Sequence, residues 1–557
     1  MPEQFNVELL DAARWRLDSF TRYQWNRAFV QSIAARRPSA LTERSYELLS
    51  RVQSQSPGLI DLVLETFLEV APHPGHPLNA VALHNTLKGW SMPTRDVLWS
   101  IPTYSAFDSG GALDRLIRWS ARGPYSDCTD EVIELAAVPL IWTFTSPNRR
   151  MRDYATKALV RLLSGNLSVL PSLIRRFDGV NDPYVVERLA VVAHGAVLCG
   201  GSEALDAAVA TAEELKRVAL AEEQVPNIIT RDAVRGVYEW CARHNLIARH
   251  VYAEMLPPYS SAPPQEPRTT KQLECAYGRD KHHGGDISWP YKDLFYSILG
   301  ATIVGDFGRY VVEPELMEFS QYPLSSARPR RDREAMYPLE AGRCWVFERV
   351  LSLGWTPRKF GEFDQYLGNR AWYLAGRGDH KAERFGKKYQ WIALRELVAR
   401  VADNFHMNAD FGDQPVTYTG PWQFSGRDID PTLPAPTRKR NEDDSFELSP
   451  TFASNDEAWW APPGPSYHHG DPPVGEDWAA ASDDIPEFEP LVRKRDKSGT
   501  RWVVLHANCN WDDEVPEDEE RRSRRCRNLW SHIRSWLVQP ADQDVLVGHL
   551  EQHSLMG

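Results

Sequence analysis

Two loops set histidines beside a carboxylate, a donor set that could hold a metal ion: His282-His283-Gly284-Gly285-Asp286 and His468-His469-Gly470-Asp471. Both are glycine-rich, and solvated polar loop residues are the simpler reading. His506, Cys509, Cys526 and His532 form H-x2-C followed by C-x5-H. Zinc needs four nitrogen or sulfur ligands converging on a tetrahedron. No second close pair supports these four, so a zinc site and unligated side chains both stay open. The chain contains no G-x-x-x-x-G-K-S/T phosphate loop. Asp306-Phe307-Gly308 spells a kinase triplet without the upstream H-R-D or the strand lysine, and Gly464-Pro465-Ser466-Tyr467-His468 lacks the last glycine of a nucleophile elbow. No catalytic residue and no cofactor is therefore assigned. An enzyme of unrecognised type, a hydrolase or nuclease, would have to use Glu383, Lys387, Asp428 and Asp430 or the histidine loops.

Basic clusters could meet phosphate: Arg328 with Arg330, Arg331 and Arg333, then Arg438 to Arg440, then Arg521, Arg522, Arg524 and Arg525. Acids border each of them, as in Glu517 to Glu520, and self-neutralising solvated faces are the simpler reading. The net charge of -12 over 557 residues points the same way, so nucleic acid is not expected as a partner. The longest nearly apolar run, Leu135 to Phe144, is well short of the ~18 residues of a membrane span. The N-terminus has neither a basic nor an apolar leader region. Seven scattered cysteines, an odd number, read as reduced thiols, and the expected location is cytoplasmic. Twenty tryptophans are many for this length, and eight of them lie between Trp422 and Trp536. Tryptophan fills cores first, and it is also over-used at binding hot spots.

The elements that would position these residues are mainly helical. Residues 1–255 read as helix after helix, with apolar residues recurring at steps of 3 and 4 and with Pro, Gly, Asn and Ser at the breaks. Examples are a helix after Pro38-Ser39, one over Leu59 to Val70 and one over Leu113 to Ser120. Ala155 and Ala190, Ala158 and Ala193, and Leu162 and Val197 all stand 35 apart, with a second helix around Leu170 to Phe177 between them. Helical pairs at this period predict a HEAT- or TPR-like helical-repeat solenoid. Residues 256–290 are proline-rich and read as a linker. Residues 291–433 read as a smaller α+β module. It has a helix near Leu294 to Leu299, a strand at Arg309 to Val312, a helix from Leu339 to Leu353 closed by Gly354, and a long helix from Glu383 to His406. Trp391, Leu394, Val398, Val401 and Phe405 form an apolar stripe on that last helix. Lys387, Lys388 and Gln390 at its start read as a solvated helix end. Residues 434–490, rich in Pro and acids, read as loop or disordered chain. Residues 491–557 read as a small β/α segment, with a strand at Thr500 to His506 and helical stretches at Leu529 to Leu537 and Val545 to Leu555. The chain stops two residues after Leu555, and a fragment of a longer protein stays open.

Three stretches carry a resemblance: Gly305-Asp-Phe-Gly-Arg-Tyr-Val-Val312, Glu383-Arg-Phe-Gly-Lys-Lys-Tyr-Gln-Trp-Ile-Ala393, and Gly420-Pro-Trp-Gln423 with Arg427-Asp-Ile-Asp-Pro-Thr432. They resemble the C-terminal part of prokaryotic NLR-like STAND ATPases of anti-phage defence. Those proteins join an effector, an NTPase and helical repeats that bind a viral protein, and binding triggers oligomerisation. The resemblance covers about a quarter of the chain by motif, and the effector and the NTPase are not in this sequence. It implies a sensor that recognises a folded, viral protein, with oligomerisation belonging to a longer parent protein. The partner-binding residues expected on this reading are Trp422 and Arg427, with Trp459 and Trp460. A helical-repeat adaptor scaffold is the further alternative.

Overall fold

The computed structural model describes residues 19–55, 57–106, 111–200, 205–221, 225–278, 290–300, 305–326, 336–367, 383–408 and 416–421, together with strand residues 493–495, 501–503, 506–512 and 528–534. Two compact units divide the chain, Met1–Glu447 and Leu448–Gly557. The described residues are mainly helical.

The first unit opens with α1 (Ser19–Ala35), α2 (Glu43–Gln55), α3 (Ile60–Val70) and α4 (Ala80–Gly89). Met92–Arg95 then runs through a π-turn, Asp96–Ser100, into Ile101–Ala106. There follow α5 (Ala112–Arg122), α6 (Asp130–Trp142), α7 (Arg149–Ser164), α8 (Leu170–Arg176), α9 (Pro183–Cys199), α10 (Leu205–Ala219) and α11 (Ile228–Arg243). Short polar side chains start these helices by accepting the free N–H groups of the first turn. Thr129 caps α6, Asn148 caps α7, Asp182 caps α9 with Pro183 behind it, and Asn227 caps α11 with two bonds.

Two layers result. Helices α5, α7, α9 and α11 pack side by side in one, and α4, α6, α8 and α10 form the other. The six residues that recur at the 35-residue spacing, Ala155, Ala158, Leu162, Ala190, Ala193 and Val197, are all buried in the core between the layers. Small alanines there let neighbouring helices approach closely. On the second layer a polar ladder crosses from helix to helix: Arg176 donates to Glu134 (2.8 Å), Arg175 to Glu214 (2.8 Å) and Arg217 to Asp178 (2.7 Å). Its rungs link residues 42, 39 and 39 apart. Exposed pairs of this kind add little stability each, but they record the stacking order.

Residues 256–290 are more than a linker. A capping box at Thr269 and Gln272 starts α12 (Thr270–Tyr277), which packs on α14 (Leu339–Ser352). Helix α13 (Lys292–Ile298), α14 and α15 (Phe385–Asn404) build a second core in the same unit. Gly354 closes α14 at φ +98, and a Cβ there would lie 2.6 Å from Cγ of Pro93. A two-stranded antiparallel sheet, β1 (Phe319–Pro323) with β2 (Phe405–Met407), borders this core. The strand expected at Arg309 to Val312 is a π-turn, Gly308–Val312, leading into Glu313–Met317. Short apolar runs read alike as strand or helix, and here Val312 and Leu316 reach the core along one helical face.

In the second unit β3 (Arg493–Arg495) pairs with β4 (Arg501–Val503), and β5 (His506–Asp512) with β6 (Asn528–Arg534). The helix expected from Leu529 is thus a strand to Arg534, because its backbone bonds go to β5. His532 pairs with Asn508 and Cys509 with Ser531, so Cys509 sits one register step off the positions shared by His506 and His532. Cys526, both histidine loops, all of 434–490 and the helical stretch expected at Val545 to Leu555 lie outside the described residues. Among the described residues no helix is long and apolar enough to cross a membrane.

Two outcomes follow from this packing. Ala158→Asp puts an unpaired charge between stacked helices and should cost several kcal/mol, on the order of 3–5, in urea unfolding; an unchanged midpoint would refute the stacking. His84 lies edge-on to Phe177 (4.8 Å between centroids) and tilted against Trp142 (5.7 Å). Burial first, then Arg176 and Lys88, pushes its pKa down from 6.5 to about 4. The unfolded chain therefore binds a proton that the folded chain refuses between those two values. Its contribution is intact above pH 6.5 and is lost as the pH falls towards 4, by roughly 3 kcal/mol. Unfolding free energy measured across that window should fall less steeply in His84→Gln than in the native chain.

Candidate functional site

Helix α15 carries the second resembling stretch, and its sequence faces two ways. The apolar stripe, with Leu394, Val398 and Val401 buried, faces the second core. Lys388, Arg395 and Asp403, spaced 7 and 8 apart and so on one helical face, face the repeat helices. Nearly every residue of the helix is buried.

The N-terminus of α15 is closed by a carboxylate from elsewhere in the chain. Asp364 accepts from the backbone N–H of Phe385 and of Gly386 (2.9 Å), and from Nε1 of Trp355 (3.2 Å). Burial pushes its pKa up to about 6, against the pull of those three donors. A carboxylate at this place also meets the positive end of the helix dipole.

One turn further, Lys388 is fully buried between two carboxylates. Its Nζ donates to Asp96 Oδ1 at 2.7 Å and to Asp182 Oδ2 at 2.9 Å, and all three side chains have no solvent exposure. Tyr389 donates its hydroxyl to the other oxygen of Asp96 (2.9 Å). Burial raises the pKa of Asp96, Lys388 opposes this, and Asp182 adds to it. Arg95 completes a neutral quartet, 3.7 Å from Asp182, with its guanidinium donating to Asn181 and lying over Trp142. Asp182 thereby does two tasks: Oδ1 caps α9 while Oδ2 holds the lysine.

The same face continues outward. Arg395 pairs with Glu187 of α9, which also accepts from Asn227, the cap of α11. Arg231 of α11 donates to Asp403 (2.9 Å), which also takes the backbone N–H groups of Tyr259 and Ser261. Arg152 of α7 stands 3.7 Å from Glu383 and donates to the Tyr184 hydroxyl. The result is an ionic seam between the layer of α7, α9 and α11 and the helix α15.

Lys387, Lys388 and Gln390 are therefore not a solvated helix end. Lys388 is sealed in the seam; Lys387 bonds Asp306 (2.8 Å), and Gln390 accepts from Ser297 (3.1 Å). Their charges and amide are matched by acceptors and donors 81 to 292 residues away, which no local pattern discloses. These contacts also bring the first two resembling stretches together, with Phe307 packing edge-on to Trp391 (5.1 Å). Of the third, Gly420, at φ +72, leaves 3.1 Å between its Cβ position and Nε of Arg235 on α11. Trp422, Arg427, Trp459 and Trp460, as well as Asp428 and Asp430, lie outside the described residues.

Three π-turns surround the first half of α15, a feature that is rare and frequent at functional sites. Asp96–Ser100 supplies the carboxylate for Lys388. Gly308–Val312 follows Phe307. Pro357–Gly361 supplies Phe360, which stacks on Phe385 (5.3 Å) and lies 5.6 Å from Tyr389. Tyr310, 69% exposed, projects from the second π-turn with the Arg309 guanidinium over its ring.

No protein-family model, curated protein or solved structure matches the chain.

The acidic partners Asp96, Asp182, Glu187, Asp364 and Asp403 escape a reading of the sequence as candidate site residues. Asp182 and Asn227 do carry a signal, since each is a short polar residue directly before a helix. Asp96 carries none. Chemically the seam holds and orients: its carboxylates pair with Lys388, Arg395 and Arg231. Among the described residues, no three His, Cys, Asp or Glu side chains are grouped to hold a metal ion. Lys388→Met should leave the quartet with one buried negative charge in excess, since Arg95 offsets only one of the two carboxylates, and cost about 3–5 kcal/mol in urea unfolding. Adding Asp96→Asn should recover most of that loss, because Arg95 and Asp182 then balance. A double variant no more stable than Lys388→Met would show that charge is not what the lysine compensates.

Proposed function

We propose that this chain is the recognition part of an anti-phage defence sensor, binding a folded viral protein through a HEAT- or TPR-like helical scaffold in the cytoplasm. The observation that carries the reading is the convergence at α15. Two stretches that resemble the sensor region of NLR-like STAND proteins lie about 80 residues apart in sequence, yet they bond to each other there, and the third begins against α11. Two of the stretches are packed together, which supports reading them as parts of one unit. A two-layer helical stack with an exposed Arg309–Tyr310 pair beside that unit suits protein recognition, since Arg and Tyr are enriched at hot spots. Glu383 and Lys387, which an enzyme would need, are taken up in pairs with Arg152 and Asp306. Trp422, Arg427, Trp459 and Trp460 stay the proposed contacts.

The test is capture of purified viral structural and packaging proteins by the full chain. One such protein should bind, and Trp422→Ala should weaken it by about 2 kcal/mol or more while leaving the melting temperature nearly unchanged. A chain that captures none of them yet turns over a nucleotide or nucleic acid would overturn the proposal.

A further inference from the structure

The ionic seam runs between two apolar cores. The core between the repeat layers buries Cys241, and the core around α14 and α15 buries Cys344. Among the described residues, Met92, Tyr184, Ile228 and Ile229 enter the second core from the repeat side as buried apolar residues, and Val97, Ile101 and Val191 pack against it partly buried. Against these stand five charged links across the seam: Lys388 with Asp96 and with Asp182, Arg395 with Glu187, Arg231 with Asp403, and Arg152 with Glu383. An apolar seam forfeits its burial energy outright on opening. Buried ions regain hydration when they part, and that return offsets much of what the pairs lose. Opening along the seam is therefore cheaper than opening either core, and the π-turn Asp96–Ser100 lies on this line.

We propose that the seam is a release joint. The folded body built on α13, α14 and α15 swings off α9 and α11 while both cores stay closed, uncovering the face of α9 and α11 that α15 occupies. Lys388 and Arg395 then part from Asp96, Asp182 and Glu187, and Asp403 from Arg231. The inference rests on the packing alone and stands whether or not the partner is viral.

Lys388 is an intrinsic reporter, since its side chain has no solvent exposure when the seam is closed. The full chain is pulsed in native buffer with an amine-acylating reagent and, in parallel, with a thiol-alkylating reagent. Protection of Lys388, Cys241 and Cys344 is read by mass spectrometry, each relative to the urea-unfolded chain. Lys388 should be at least about tenfold less protected than either thiol. Glu187→Gln, which removes the counter-charge of Arg395, should lower the protection of Lys388 by about a further tenfold and leave both thiols as they were. Equal protection of all three reporters would mean that the seam opens only with global unfolding, and would overturn the proposal. Loss of Cys344 protection together with Lys388, while Cys241 holds, would mean that the second core melts rather than swings, and would overturn it too. If Glu187→Gln does not fold, the comparison of the three reporters in the native chain decides.

Discussion

A lysine with no access to water must find negative charge or lose its own. Lys388 finds two carboxylates, Asp96 and Asp182, and a neutral quartet closes when Arg95 joins them. Much of the first unit's architecture depends on that compensation. Asp182 can reach the lysine only because it is the cap of α9, and Asp96 only because a π-turn presents it between Arg95 and Ser100. The stripe of Lys388, Arg395 and Asp403 then sets the rotation of α15 about its own axis, since turning the helix would bury charge against the apolar second core. Coulombic pairs in a dry interior do not make such a seam more stable than an apolar one would be. They make it specific, because a shift of one helical turn would leave several charges unmatched.

Helix caps are the second recurring device. Asp182, Asn227 and Asp364 each satisfy first-turn N–H groups, and each is also tied into or beside the seam. Capping residues are polar and lie at helix ends, so they are available wherever ends of stacked helices line up along one edge. Helices stacked side by side in one layer bring their ends into line. A helix laid across those ends meets a row of polar groups, and α15 supplies the complementary charges. The other layer holds together differently, through exposed ion pairs that contribute little each, over a core of alanine, leucine and valine.

The resembling stretches gain meaning from this arrangement. Lys387, Lys388, Tyr389, Gln390 and Trp391 are consecutive, yet they serve a surface ion pair, a buried ion pair, a shared carboxylate, a buried amide bond and an aromatic contact with Phe307. A stretch in which every residue has its own distant partner tolerates few substitutions for structural reasons alone. Such a stretch can resemble another protein without containing any contact residue for a ligand.

The helices of residues 19–255, the caps at Asn148, Asp182 and Asn227, the alanine pairs 35 apart and the apolar stripe of α15 are legible in the sequence, because they depend on neighbours within a few residues or on a period. The strand expected at Arg309 to Val312 and the helix expected from Leu529, which is a strand to Arg534, were misread for the converse reason: short apolar runs take their state from what they pack against or pair with. The charges of α15 show the limit most clearly. Lys388 looks like the solvated start of a helix, and nothing within its own turn says otherwise. Its partners stand 206 and 292 residues earlier in the chain. Electrostatic compensation acts through space and leaves no periodic trace along the chain, so only the tertiary structure decided that this lysine is the buried centre of the seam.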